Sequence, residues 1–294
     1  MKKNLAVVFF FFFISFSGFC KGQVEFTVSP FVGLSDCKLD EILYETNGSV
    51  RSLLEWEQNI IFDLGLRAKA SINNFDLALC FSYSFPCTNG HMTDSDWENG
   101  SKYSVTNHPV VKFKNISSQL DFSYRLYESE VFAFTPVIEL EYFYTSFNAG
   151  KGTGIRYNNP VKVDAIDYYR HSAFIFMGAE TKYQINSGFF VKAGFLIAPF
   201  CYQDGFDFHH GKNNPFHMRD IEMGWFSKFK ACASAGITLT SWFSIESQLS
   251  ILFGGTDKGR FYTDIFSDTM GLHDQEKGAG IFYKSCKLFI NFSL

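Results

Sequence analysis

The sequence predicts an all-β protein: a ten-stranded antiparallel transmembrane β-barrel with five long outer loops and short periplasmic turns. Three observations predict it. A leader would export the chain, apolar–polar alternation runs through most of the remaining residues, and long and short connections alternate strictly. Aromatic residues make up 19% of the 294 residues, 37 of them Phe, while charged residues are also only 19%. That balance is heavy in aromatics for a soluble domain. A net charge of −4 offers no basic stripe to a nucleic acid, so none is expected as a partner.

The leader comes first. Lys2 and Lys3 precede an apolar run from Leu5 to Phe19, and Cys20-Lys21-Gly22 supplies the small residues that a cleavage after Gly22 needs. The run is shorter than the ~20 residues of a membrane-spanning helix, so 1–22 reads as a signal peptide and 23–294 as the mature domain. No later stretch approaches that length, which leaves an exported soluble chain or a barrel. Export permits disulfides. The spacing of Cys37, Cys80, Cys87, Cys201, Cys232 and Cys286 names no pairs, and free thiols inside the fold are the expectation.

The strands follow from periodicity. Val24–Phe31, Phe122–Tyr127 and Leu249–Phe253 alternate apolar with small or polar residues. In a barrel strand that alternation turns one face to lipid and the other to the lumen. Short connections fall at 72–74, 127–129, 185–188 and 240–242, and long polar segments at 35–50, 88–108, 148–166, 203–223 and 255–278. Alternating long and short connections give ten strands, with short turns at the periplasm and long loops outside. An even number closes the sheet, leaving no edge unpaired in the bilayer. A soluble β-sandwich would have no reason for this parity.

Two of the long segments carry chemistry. The second holds His91-Met92-Thr93-Asp94-Ser95-Asp96-Trp97 and ends at His108-Pro109; the fourth holds Asp204-Gly205-Phe206-Asp207-Phe208-His209-His210. Residues two apart in an extended chain share a face, so Asp94 pairs with Asp96, and Asp207 with His209. Two close carboxylates push one pKa up, and a carboxylate beside an imidazole fixes its tautomer. Such a quartet could deprotonate a water with no Ser or Cys nucleophile. Singly, an exposed Asp-x-Asp is more often a solvated turn.

In order and placement these motifs resemble the omptin family of outer-membrane endopeptidases, along the whole mature length. Omptins are ten-stranded barrels with Asp-x-Asp-Trp in the second outer loop and Asp-x-His in the fourth. Asp94-Ser95-Asp96-Trp97 and Asp207-Phe208-His209 match these, His108-Pro109 matches a His-Pro, and Glu55-Trp56 and Gly278-Ala279-Gly280-Ile281 match further runs. The resemblance implies that Asp94, Asp96, Asp207 and His209 are catalytic and that no metal or cofactor takes part. It implies substrate binding by Glu41, Asp204 and His108, and polypeptide substrates cut beside Arg or Lys. That preference is expected to be weaker than the family norm, because Gly205 stands where omptins have a second acid. A monomer is expected, with outer-membrane lipid around it. Lipopolysaccharide dependence is in question, because Leu140-Glu141-Tyr142-Phe143-Tyr144 lacks the Arg of the matching omptin run. The rival readings are a non-enzymatic barrel, either adhesin or small porin, and a divalent-metal site built from the same carboxylates.

Overall fold

In the computed structural model, residues 24–211, 215–264 and 271–294 are described; the signal peptide expected at 1–22 lies outside them. The first two strands are long, β1 (Val24–Tyr44) and β2 (Val50–Ile72), and they meet edge to edge from Val24↔Ile72 to Tyr44↔Val50. They are followed by β3 (Phe75–Pro86), β4 (Gly90–Glu98), β5 (Ser101–Tyr124), β6 (Tyr127–Glu128) and β7 (Phe132–Ala149). A small hairpin, β8 (Gly152–Arg156) and β9 (Asn159–Val163), precedes β10 (Ile166–Gln184) and β11 (Phe189–His209). The last strands are β12 (Phe216–Gly224), β13 (Lys228–Thr240), β14 (Phe243–Gly254), β15 (Asp257–Thr263) and β16 (Gly271–Ser293).

Among the described residues the count is therefore sixteen separate strands where ten were expected. The difference has a physical cause. The chain breaks at 87–89, 225–227 and 255–256, yet the pieces on either side pair with the same neighbours: β3 and β4 with β2 and β5, β12 and β13 with β11, β14 and β15 with β16. Taking each broken pair as one stave, the circuit runs β1, β2, β3/β4, β5, β7, β10, β11, β12/β13, β14/β15, β16, and β16 closes on β1. Every pairing around it is antiparallel. Closure leaves no raw edge on the main wall.

Alternation sorts the side chains. Along β1, Phe31, Cys37 and Leu39 are buried inward while Val32 and Leu34 lie exposed on the outside. Ile60, Phe62, Leu64 and Leu66 continue this outer apolar belt on β2, as do Ile138 and Leu140 on β7 and Leu288 and Ile290 on β16. Above the belt the outer wall becomes charged. Lys38 pairs with Glu55 (2.7 Å) and Glu57 (3.5 Å), His91 with Glu57 (3.1 Å), and Lys284 with Asp36 (2.6 Å). Such a network belongs in water, so the barrel stands clear of the hydrocarbon from about this level upward.

The interior is packed. Trp56 stacks on Tyr168 (centroids 5.1 Å apart, planes 11° apart) and tilts against Phe147 (5.5 Å), which meets Phe113 edge-on (5.0 Å). Leu39, Met92, Phe143, Phe174 and Tyr283 complete this layer. Below it the lumen is polar, with Lys230 held by Glu139 (2.7 Å) and Glu141 (3.1 Å).

Leu64 is 51% exposed on the apolar belt. Leu64→Arg is expected to destabilise the barrel by roughly 2–4 kcal/mol near the bilayer midplane, while Glu55→Gln on the charged collar shifts stability by less than about 0.5 kcal/mol. Denaturant unfolding in lipid vesicles measures both. Equal, small effects would mean that the belt is not the lipid-facing surface.

Candidate active site

The segments expected as loops are mostly strand. Polar residues on both faces made them look irregular, but above the membrane both faces can be wet, and the ladder simply continues. Asn99-Gly100 makes the tight return from β4 to β5, with both residues at positive φ (52° and 76°), which a two-residue hairpin turn requires and which Asn and Gly tolerate best. β4 is thus pinned between β2 (Asp94↔Leu54) and β5 (Asp94↔Thr106). This fixes the direction of Asp94 and Asp96.

Opposite them, the inward face of β11 carries Asp207 and His209. His209 Nε2 lies 3.2 Å from Asp207 Oδ2, and Phe216, its register partner on β12, stacks on the imidazole at 4.4 Å with the planes 13° apart. A carboxylate on one ring nitrogen and a phenyl on one face leave the ring little freedom. Asp94, Asp96, His108 and His209 line one cavity of about 520 Å³, whose wall also includes the cations Arg51, Arg156 and Lys162. Among the described residues, no group of three or more His, Cys, Asp or Glu side chains is arranged to hold a metal ion.

Asp94 and Asp207 differ in their electrostatics. Burial, and then the charge of Asp96, push the Asp94 carboxyl up to about 7, against a smaller downward pull from His209 and Arg156. Asp207 is wholly buried, which by itself would raise its carboxyl; the Lys277 ammonium and the hydrogen bond from His209 outweigh that and hold it below the usual carboxylate range. One carboxyl is therefore poised to exchange a proton near neutrality and another is kept as an anion behind the imidazole.

The family model for the omptins matches residues 23–287 of the 294. The chain belongs to the omptin family. Among solved structures it resembles the outer membrane protease OmpT of Escherichia coli, with 14% identity, a TM-score of 0.79, and 92% of this chain and 97% of that one covered. At that identity the likeness is one of fold. The translocator domain of the autotransporter NalP from Neisseria meningitidis (10% identity, TM-score 0.40, 98% and 95% covered) and OprG from Pseudomonas aeruginosa (8%, 0.40, 94% and 98%) also match. No curated protein sequence does.

The remaining expected site residues of this omptin divide. His108 lines the cavity, but both ring nitrogens are engaged. Nδ1 donates to the carbonyl of Gly150 at 2.9 Å and Nε2 faces the Thr106 hydroxyl at 3.3 Å. Burial lowers its pKa, so the neutral ring persists. Asp204 is a correction. It sits an odd number of residues from Asp207, hence on the outer face of β11, where Arg219 clasps it through two hydrogen bonds (2.9 and 2.8 Å). Glu41 points inward as expected, but it is buried and bound by Lys277. The acid missing at Gly205 is replaced across the ladder. Asp220 is the register partner of Gly205, and a Cβ added at Gly205 would come within 2.6 Å of the Asp220 carboxylate. Sequence reasoning missed Lys277, Asp220 and Phe216. Inward parity was the only available signal for the first two, and nothing in the chain pairs Glu41 with a residue 236 positions away.

Because the Arg156 charge holds Asp94 down, Arg156→Gln is expected to raise the Asp94 pKa further. The limb of the pH–activity profile that reports Asp94 then moves to higher pH. An unmoved profile in a correctly folded variant would separate Asp94 from that titration.

Proposed function

We propose that this omptin is a monomeric endopeptidase of the outer membrane that hydrolyses peptide bonds at the exterior mouth of the barrel. The observation that carries the reading is the single cavity shared by Asp94, Asp96 and His209, with Asp207 behind the imidazole. Asp207 keeps a proton on the nitrogen it faces, and the other ring nitrogen is left with its lone pair. That nitrogen takes a proton from a water lying between the imidazole and the Asp pair. The water oxygen adds to the scissile carbonyl carbon. The C–N bond then breaks as the leaving amine takes up a proton, and a carboxyl with a pKa of about 7 is suited to relay it. No side chain forms an acyl intermediate.

The preference for Arg or Lys is left out of this reading, since Glu41 is occupied. Lipopolysaccharide is read as dispensable. On the outer wall, Tyr142 bonds His171 (2.6 Å) and Tyr144 has Lys114 over its ring (5.6 Å), with no Arg among these four.

Asp94→Ala and His209→Ala are each expected to lower peptide cleavage by about 10²–10⁴-fold, the range for loss of a positioned acid or base. Both should still form a heat-modifiable barrel. Cleavage by the parent should persist with serine reagents, with chelators and without added lipopolysaccharide. Variants that cut as fast as the parent would overturn the site. Steady ion conductance in a planar bilayer, with no proteolysis, would favour a small porin.

A further inference from the structure

Directly beneath the His209–Asp207 pair, three strands each send a carboxyl to one point: Glu41 from β1, Asp207 from β11 and Asp220 from β12. The point is the ammonium of Lys277, from β16. It bonds Glu41 and lies 3.8 Å from Asp207 Oδ2 and 3.9 Å from Asp220 Oδ1. All four side chains are at most 2% exposed. The Asp207 carboxyl meets that of Glu41 and the Asp220 carboxyl meets that of the equally buried Glu222, while no N–H donates to either oxygen of Asp220, to Oε2 of Glu41 or to Oδ1 of Asp207. Acceptors thus outnumber donors here, which is the environment that receives a guanidinium or ammonium from outside. In this chain the cation is already present and covalently attached. Phe261 covers it, with its ring centroid 5.0 Å from the Lys277 nitrogen, and Phe261 is also part of the cavity wall. The same wall carries the apolar Leu54, Ile166 and Met218 together with Ser52, Thr263, Gln275 and the cations Arg51, Arg156 and Lys162.

The structure assigns to Lys277 the part of a specificity-determining residue: it fills the acidic recess under the catalytic pair. The substrate side chain that settles there is then uncharged and apolar, and Arg and Lys are rejected. A second cation would have to enter a buried space beside the first, with its carboxylates already shared. The proposal rests on the peptidase reading and refines its substrate class. It also makes the recess convertible. With Lys277 removed, Glu41 and Asp220 face a space that only a cation would fill well.

The test uses full-length refolded protein and a peptide set carrying Arg, Lys, Leu or Met beside the scissile bond. The parent is expected to cut the Leu and Met peptides at least tenfold faster than the Arg and Lys peptides, by kcat/KM. Lys277→Met and Lys277→Ala are expected to shift the Arg-to-Leu ratio toward Arg at least tenfold, and Lys277→Arg to leave it near the parent's. A parent that prefers Arg or Lys overturns the proposal, whether or not the variants fold. So does an unchanged ratio in a heat-modifiable Lys277→Met barrel. A binding arm separates the two readings. Calorimetry with arginine amide should show no binding to His209→Ala and binding to His209→Ala/Lys277→Met. That result supports the role of Lys277 even if no protein in the set cleaves, in which case the peptidase reading alone falls; absence of binding to the folded double variant counts against it.

Discussion

Closure of the sheet between β1 and β16 is the constraint on which the rest of the molecule depends. Inside hydrocarbon no water is available to an unpaired N–H or C=O, so a sheet survives there only as a ring. Once the ring is closed, each residue has two choices, wall or lumen, and the choice alternates. The same two-fold rule continues above the apolar belt, where no lipid enforces it. It aims Asp94 and Asp96 from β4 and Asp207 and His209 from β11 into one mouth. Their convergence is a property of register, and the ladders that fix it extend far into the membrane.

Much of this was legible in the chain. Alternation and the parity of connections led to a barrel, and the paired motifs led to the mouth. The positions of the loops were not legible, because composition distinguishes lipid from water and not strand from coil. Where both faces are wet, a strand and a loop have the same residues. Asn99-Gly100 was the available correction, a hairpin signal inside a segment read as irregular. The misassignment of Asp204 was avoidable by counting alone, since three residues from Asp207 is the wrong face. Lys277 was out of reach. Its partners come from β1, β11 and β12, and only the closed ring brings those strands together.

The floor of the site is electrostatically expensive, with charged groups taken wholly out of water. Arg170 is part of it. It is buried and donates to the backbone carbonyls of Gly280 and Asp40 (both 2.8 Å), tying β10 across the lumen to β16 and β1. Replacing such a network by apolar groups is often neutral or stabilising in proteins generally, so stability alone is a weak reason to keep it. Its value here is positional. Asp207 bonds His209 through the same oxygen that faces Lys277. The imidazole is therefore oriented by a carboxylate that is itself held from below.

The aromatic layer through Trp56, Tyr168 and Phe147 has a consequence for traffic. It lies between two chambers, the upper one of about 520 Å³ and a charged lower one of about 470 Å³. Leu54 and Ile166 line only the upper chamber, and Phe143 and Tyr283 only the lower. A solute at the mouth therefore meets a solid floor. With that floor in place, whatever is released at the mouth departs on the side from which it arrived.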